Sequence, residues 1–499
     1  MSDQISDRKA KLEKIRALGI DPYGRRFTDV RRHAEVRAAG ERLALAAGEI
    51  RESAEAEFRA AGRVVLYRDI GSLIFLTVRD ATGDLQYGLS KKMVGAEQFK
   101  LAKLLDLGDL VGGDGRLGRT KTGELTLWVT ELTLLSKALR PPPEKWHGLT
   151  DVEARYRRRY VDLFSNPEAR AVFVRRAAII DYFRRKLQER GFVEVETPVL
   201  QPIYGGAAAR PFLTHHNTLD MQLYLRISPE LYLKRCLVGG LERVFEFARC
   251  FRNEGISPRH NPEFSMLELY QAYGDYHDMM ELCEELIGGA ARDVLGATAI
   301  EFGGRVIDYA TPWRRLKYAD AFAEHVGLAL GELAAIRGRA RELGYDEARL
   351  DDAVVIHALF DHYVEPHLVN PTFVLDWPAA LCPLTKRDPA DPGTALRFEL
   401  FINGMEIGNA YSELNDPAVQ RETFSRQLRG EEQETMAVMD EDFVTALEYG
   451  MPPAGGLGIG IDRAVMLLTG CQSIRDVLLF PLQKPQAEGP ADGPEADGW

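Results

Sequence analysis

The chain has 499 residues, 45% of them hydrophobic and 28% charged, and a net charge of −12. That length is too great for a single compact core and predicts two or three domains, with apolar residues enough to fill them. No unbroken apolar run reaches the roughly 18 to 20 residues needed to span a bilayer, the first residues carry no apolar signal region, and the acidic balance excludes a protein that coats nucleic acid through bulk positive charge.

Residues 1–60 read as an N-terminal helical, locally basic segment. Ten Lys/Arg, from Arg8 to Arg37, face six acids within residues 1–40. Leu12, Ile15, Leu18 and Ile20 set an apolar stripe behind them, so two readings stand: a helix docked on its own protein, or an arm for RNA.

Residues 61–138 read as a β-barrel. Short strands are predicted over 64–67, 73–78 and 85–87, with turn signals at Gly71 and Asp80-Ala-Thr-Gly83, then a helix over 97–105 and strands over 110–117 and 125–135. Five strands around one helix is the order of an OB-fold, which often holds single-stranded nucleic acid on one face. Phe75 is the stacking candidate, with burial in the barrel core as the alternative. Gly113-Asp-Gly115-Arg-Leu-Gly118 matches G-x-G-x-x-G, but no helix follows it and it reads as strand and turn.

Residues 139–155, with Pro141-Pro-Pro143, predict a stiff linker. A larger domain is expected over 156–484, opened by a helix from Pro167 to Arg190 that stops at Gly191, followed by a strand over 192–198. A helix-rich stretch covers about 275–365, and strands return at 373–376, 398–407 and 456–461. His357, His362 and His367 are five apart, about 140° on a helix, and do not share a face as zinc ligands would. Five scattered cysteines, without a C-x-x-C pair, predict free thiols and a cytoplasmic location. Residues 485–499, rich in Pro, Gly, Ala and acids, predict a disordered acidic tail.

Two arginines carry the chemistry. Arg252 precedes a polar loop, Asn253 to Glu263, that joins two strands, and a guanidinium there suits a phosphate better than an ammonium would. Phe264 offers a flat face for a base. Arg463 follows glycines at alternate positions, Gly456, Gly458 and Gly460, which allow close approach of a strand to a ligand, and it opens a helix over 464–468.

These segments, with Gly205-Gly-Ala-Ala-Ala-Arg-Pro-Phe212, Thr214-His-His-Asn217, His260-Asn-Pro-Glu-Phe264, Glu406-Ile-Gly-Asn409 and Ser412-Glu-Leu-Asn415, resemble the class II aminoacyl-tRNA synthetases, and within them the lysyl-specific family. The resemblance runs from the N-terminal helix to Pro481. It implies an α+β fold: an N-terminal OB-fold β-barrel that binds the anticodon, and a class II synthetase catalytic domain built on an antiparallel sheet flanked by helices. It implies ATP-dependent activation of L-lysine and its transfer to tRNA(Lys), with Mg2+ on the ATP and a homodimer formed through the first motif, around 167–198. Arg252 and Arg463 are the implied catalytic residues. ATP is implied at Arg252, Glu254, His260, Asn261, Phe264 and Arg463; lysine at Gly206, Glu230, Glu268, Tyr270, Asn409 and Glu413; magnesium at Glu399 and Glu406, which a turn at Asn403-Gly404 must bring together; and the anticodon at Phe75, Gln86 and Glu124. Ser72 and Tyr67 stand where that family commonly has basic residues. Rival readings are a paralogue that joins lysine to a protein, against which the barrel argues, an aspartyl or asparaginyl relative, against which the three pocket glutamates argue, and a catalytically silent RNA-binding relative, which would have lost Arg252, Glu399, Glu406 or Arg463.

Overall fold

The computed structural model describes residues 2–143, 149, 151–207, 209–345, 350–382, 384–428 and 439–485. The expected acidic tail beyond Pro485 and part of the expected linker, 144–148 and 150, lie outside the described residues. The chain divides into two compact units, Met1–Leu149 and Thr150–Trp499.

The first unit is a closed barrel of five strands in the order β1-β2-β3-β5-β4: β1 Glu57–Asp69, β2 Leu73–Asp80, β3 Gly83–Ser90, β4 Leu110–Arg119 and β5 Leu125–Ser136. Alternation builds it. Ile74, Leu76 and Val78 point inward and are fully buried with Leu85, Tyr87, Val111 and Leu127, while the residues between them face out. The helix predicted between the barrel strands, Lys91–Leu104, starts six residues earlier than the sequence suggests. The G-x-G-x-x-G segment is entirely strand, and a Cβ at Gly115 would overlap the Trp128 carbonyl, so close strand packing requires that glycine.

The basic N-terminal helix, Ser2–Ala17, docks on its own protein. It buries Leu12 and Ile15. Arg8 donates to the carbonyls of Leu107 (3.0 Å) and Ala138 (2.9 Å), and Lys11 pairs with Asp106 at 2.6 Å. Leu18 lies past the helix end and is exposed, so the apolar stripe is shorter than its spacing suggests.

The second unit is built on an eight-stranded, largely antiparallel sheet. Its strands in chain order are β6 Val193–Glu194, β7 Leu200–Gln201, β8 Leu213–His216, β9 Met221–Leu225, β10 Arg243–Phe251, β11 Glu263–Ala272, β12 Ala299–Phe302, β13 Arg305–Asp308, β14 Arg314–Lys317, β15 Thr372–Pro378, β16 Thr394–Ile402, β17 Met405–Ser412 and β18 Ala454–Gly460. The large sheet runs β14-β15-β16-β17-β18-β11-β10-β6, while β7-β9-β8 and β12-β13 form small separate sheets. Three short strands, β12 to β14, thus interrupt the helix-rich stretch.

The opening helix is Pro167–Glu189. Asn166 caps it by accepting from Glu168 and Ala169, Pro167 fits the first turn, and Gly191 at φ +80° takes the left-handed turn beyond it. The strand expected over 192–198 shortens to Val193–Glu194, parallel to β10. Thr197 instead turns its N–H and hydroxyl to the buried Glu246 carboxylate (3.2 and 2.7 Å), and Pro198 has no N–H to give a ladder.

One face of the large sheet packs on helices Pro167–Glu189, Tyr276–Cys283 and Ile461–Thr469. Leu267, Leu269, Phe398, Leu400, Ala410, Leu457 and Ile459 point to that side among Ile179, Phe183, Met279, Val465 and Leu468. Each leucine, isoleucine or phenylalanine among them contributes roughly 1.5 to 3 kcal/mol on burial. The residues between them are left for the opposite face, where the chemistry lies.

Candidate active site

Strand register assembles the site. Across four neighbouring strands Glu399 stands opposite Asn409, Asn409 opposite Gly458, and Gly458 opposite Glu268. One step along the sheet, Arg397 faces Tyr411, Tyr411 faces Gly456, and Gly456 faces Tyr270. Both rows project from the face away from the core, and the two glycines leave their middle open. The hairpin turn at Asn403 and Gly404, both at positive φ, returns the chain so that Glu399 and Glu406 share a cavity.

Two cavities lie on this face. The larger, about 420 Å³, is lined by Gly206, Glu230, Glu268, Tyr270, Asn409 and Tyr411, together with Glu399 and Glu406. The smaller, about 250 Å³, takes in all six residues expected at the nucleotide: Arg252, Glu254, His260, Asn261, Phe264 and Arg463. Arg252, Met266, Glu406, Asn409 and Gly458 belong to both, so the cavities meet there. Strand β11 spans them by its two-residue period, with Phe264 in the small cavity, Met266 in both, and Glu268 and Tyr270 in the large one.

The Arg252 guanidinium lies 5.1 Å from the centre of the Phe264 ring, and its Nε is buried with no hydrogen-bond partner among the described residues. Such a group is costly to leave unpaired and suits an incoming anion. Arg463 lies in the first turn of helix Ile461–Thr469, which begins three residues before the expected 464. It donates to the Glu406 carbonyl (2.8 Å) and reaches His260 Nε2 (2.8 Å). Burial, and then the Arg463 charge, hold the His260 ring below the usual histidine range. The neutral ring accepts from Arg463 at Nε2, and its Nδ1–H donates to Ser257 Oγ at 2.8 Å. Asp462 fixes this corner by accepting from the Ser265 amide (2.7 Å) and pairing with Arg176 (2.6 Å). Asn261 turns its amide to the Glu263 carbonyl, leaving its buried Oδ1 without a partner among the described residues, and Glu254 is exposed at the rim.

In the large cavity the acids are tightly held. Ser228 Oγ donates to Glu268 (3.0 Å) and accepts from the Glu230 amide (3.0 Å), and the Tyr411 hydroxyl donates to Glu230 (2.9 Å). Burial, and next the Glu230 charge, push the Glu268 carboxyl up to about 8. Glu413 departs from expectation: it does not line the cavity but lies behind it, 1% exposed and 2.5 Å from the buried Lys234 ammonium. Gly206, at φ +84°, sits against Glu230 and Ser228, where a Cβ would come within 2.9 Å.

Glu399 is buried, contacts Arg397 closely, and is pushed up to about 8 by that burial, which Arg397 opposes. Glu406 keeps 39% of its side chain exposed. Burial opposes its charge, but Arg463, Asn409 and Arg397 outweigh that and hold it below the ordinary carboxylate range. Two hard carboxylate donors in one cavity fit magnesium, which takes one or two protein carboxylates and fills its shell with phosphate and water. Among the described residues no group of three or more His, Cys, Asp or Glu side chains is placed to hold an ion by itself.

The family described as tRNA synthetases class II (D, K and N) matches residues 151–484, two thirds of the chain. The chain belongs to that family. Residues 58–135 of this class II synthetase match the OB-fold nucleic acid binding domain. It is similar to the lysine-tRNA ligase of Carboxydothermus hydrogenoformans (49% identity, covering 97% of this chain and 99% of that one). It is likewise similar to those of Pelotomaculum thermopropionicum (51%; 97% and 96%) and Bacillus subtilis strain 168 (48%; 96% and 97%). The five cysteines of the synthetase are free, and no described helix is long and apolar enough to cross a membrane.

In the barrel of the synthetase, Phe75 faces outward, which removes the core alternative. Its ring meets Trp128 edge-on at 6.0 Å, with the Arg68 guanidinium 5.3 Å away. Register places Gln86 and Gly88 opposite Thr77 and Phe75, and Thr126 and Trp128 beside them, so these residues share one outer face. Gln86 donates to Thr126 Oγ1 (2.8 Å), and the exposed Glu124 continues the same alternation. Tyr67 packs against the barrel core and donates to the Ala102 carbonyl (3.2 Å), so its neighbour Arg68 supplies the positive charge on this face.

Sequence reasoning missed Tyr411, Arg397, Ser228, Met266 and Lys234. Tyr411 and Met266 follow from two-residue alternation with Asn409 and Glu268, and Lys234 lies one helical turn after Glu230. Ser228 has no such signal.

A Cβ at Gly456 would overlap the Glu413 carboxylate and come 2.5 Å from the Tyr270 ring. Gly456→Ala is therefore expected to raise the KM for the amino acid by about 10- to 100-fold through overpacking. Because Gly456 does not line the smaller cavity, the KM for ATP measured on the same preparation should stay within about twofold.

Proposed function

We propose that this synthetase activates L-lysine with ATP, releasing pyrophosphate, and transfers the lysyl group to the 3′ end of tRNA(Lys), a reading supported by its similarity to lysine-tRNA ligases. The observation that carries the reading is the meeting of an acid-lined cavity and an arginine-lined one at Arg252. Lysine would place its two ammonium groups among Glu230, Glu268, Tyr270 and Asn409, and its carboxylate toward Arg252. That carboxylate is already ionised at neutral pH, so no general base is needed. One carboxylate oxygen forms a bond to the α-phosphorus, the bond from that phosphorus to the β-bridging oxygen breaks, and the electron pair leaves with pyrophosphate.

The protein's part is alignment and charge stabilisation. Arg252 would face the α-phosphate, where charge develops, and Phe264 would stack on the adenine. Arg463, with His260 behind it, would hold the γ-phosphate. Glu399 and Glu406 would hold magnesium, which when bound supplies positive charge to the phosphate oxygens. Pairing of two copies through helix Pro167–Glu189 and the segment after it belongs to the same proposal.

The outer barrel face with Phe75, Gln86 and Glu124 would take the anticodon, with base stacking on Phe75. Phe75→Ala is expected to raise the KM for tRNA about tenfold, within the 1 to 3 kcal/mol that one stacked base contributes, with pyrophosphate exchange unchanged. Transfer of labelled lysine to purified tRNA(Lys) tests the second half-reaction. Acid-precipitable lysyl-tRNA is the expected product. Adenylate formed without any charging of tRNA would point instead to a protein acceptor.

A further inference from the structure

Behind the wall of the amino-acid cavity lies a charge that the reaction as described does not use. Lys234, one turn after Glu230 on helix Glu230–Val238, is fully buried. Its Nζ is 2.7 Å from Glu230 and 2.5 Å from Glu413, and 5.7 Å from the centre of the Tyr411 ring. Neither Lys234 nor Glu413 lines the cavity, whereas Glu230 does. Burial opposes the Lys234 charge, and the two carboxylates outweigh it, holding the ammonium above the ordinary lysine range.

We propose that Lys234 is a positioning and specificity-determining residue: a resident ammonium that sets the charge of the amino-acid pocket and fixes which oxygens of Glu230 face the substrate. The proposal rests on the reading of this cavity as the lysine site. With substrate bound and all three carboxyls ionised, Glu230, Glu268 and Glu413 bring three negative charges and Lys234 one positive, which leaves two. L-Lysine has two ammonium groups to meet them, its carboxylate being directed to Arg252. Glu230 is held from both sides, one oxygen by Lys234 and the other by the Tyr411 hydroxyl. Glu268, with Tyr270, Arg252 and Glu246 around it, completes the charged surroundings.

Without Lys234, Glu230 and Glu413 would share one buried space without the cation that bridges them. One would take up a proton, and Glu230 would lose its orientation. A pocket so altered holds the substrate's ammonium groups less well, and its protonation becomes part of substrate binding.

The test is lysine-dependent pyrophosphate exchange by the full chain across neutral to mildly alkaline pH, comparing wild type, Lys234→Met, and the double variant Lys234→Met with Glu413→Gln, which restores two surplus charges. Lys234→Met is expected to raise the KM for lysine on the order of tenfold or more, with a smaller change in kcat and none in the KM for ATP, and to move the pH dependence of the lysine KM to higher pH. The double variant should return that pH dependence toward wild type. Should Lys234→Met not fold, the double variant alone decides, and a wild-type pH dependence supports the proposal. An unchanged lysine KM and pH profile in a folded Lys234→Met enzyme, or a double variant whose profile stays displaced, overturns it. A role confined to folding would lower kcat and the yield of active enzyme and leave the lysine KM profile in place. Absence of lysine-dependent exchange in wild type would overturn the lysine-site reading itself, a separate result.

Discussion

Arg252→Ala is expected to lower lysine-dependent pyrophosphate exchange by about 10²- to 10³-fold, the range lost when one preorganised donor to a developing oxyanion is removed. Thermal unfolding should change little, because the guanidinium rests on Phe264 and its Nε has no hydrogen-bond partner among the described residues. The backbone bond from the Arg252 amide to the Pro262 carbonyl (2.8 Å) survives the substitution. Arg252→Lys should recover little, since an ammonium does not reproduce a planar fork aimed at two phosphate oxygens. Exchange measured beside a thermal melt checks both halves. Activity within about fivefold of wild type would remove Arg252 from the reacting centre.

Glu268→Gln is expected to raise the KM for lysine about 10²- to 10³-fold. A carboxylate about 4 Å from an ammonium contributes on the order of 4 kcal/mol at an effective dielectric of 20, before desolvation. The amide fits the same space and still accepts from Ser228, so the change isolates the charge. The sign of the pH dependence follows from the raised Glu268 value of about 8. Below that value the empty pocket has its carboxyl protonated, and binding an ammonium must expel the proton. The wild-type lysine KM should therefore fall as pH rises toward about 8, and this limb should flatten in Glu268→Gln. A lysine KM that does not vary between about pH 6.5 and 8 would contradict the assignment.

Much of the site is legible in the sequence because strand chemistry is periodic. The alternation of Phe264, Met266, Glu268 and Tyr270, and of Gly456, Gly458 and Gly460, implies one face presented to ligands, and the register of β10, β11, β17 and β18 realises it. The turn required between Glu399 and Glu406 is found at Asn403 and Gly404. The parts that escape depend on partners far apart in the chain. Glu413 reads as a substrate contact in the sequence, and its ion pair with Lys234, on a helix nearly 180 residues earlier, is visible only in the fold. Tyr67 and Arg68 exchange roles because a bulge between Val64 and Leu66 shifts the phase of β1, which no local propensity signals. The predicted strand 192–198 fails for a similar reason: Glu246, a neighbour only in the fold, captures Thr197 before the ladder can continue. The basic N-terminal helix was ambiguous because composition cannot show that Arg8 and Lys11 are already bonded to the barrel unit.

Selection of lysine by the acid-lined cavity for attack on ATP at Arg252 is checked by exchange of labelled pyrophosphate into ATP without tRNA, with lysine, aspartate and asparagine supplied in turn and magnesium present. Exchange is expected with lysine, and none above background with the other two. Exchange driven by aspartate or asparagine, or by no amino acid in a folded sample, would contradict it.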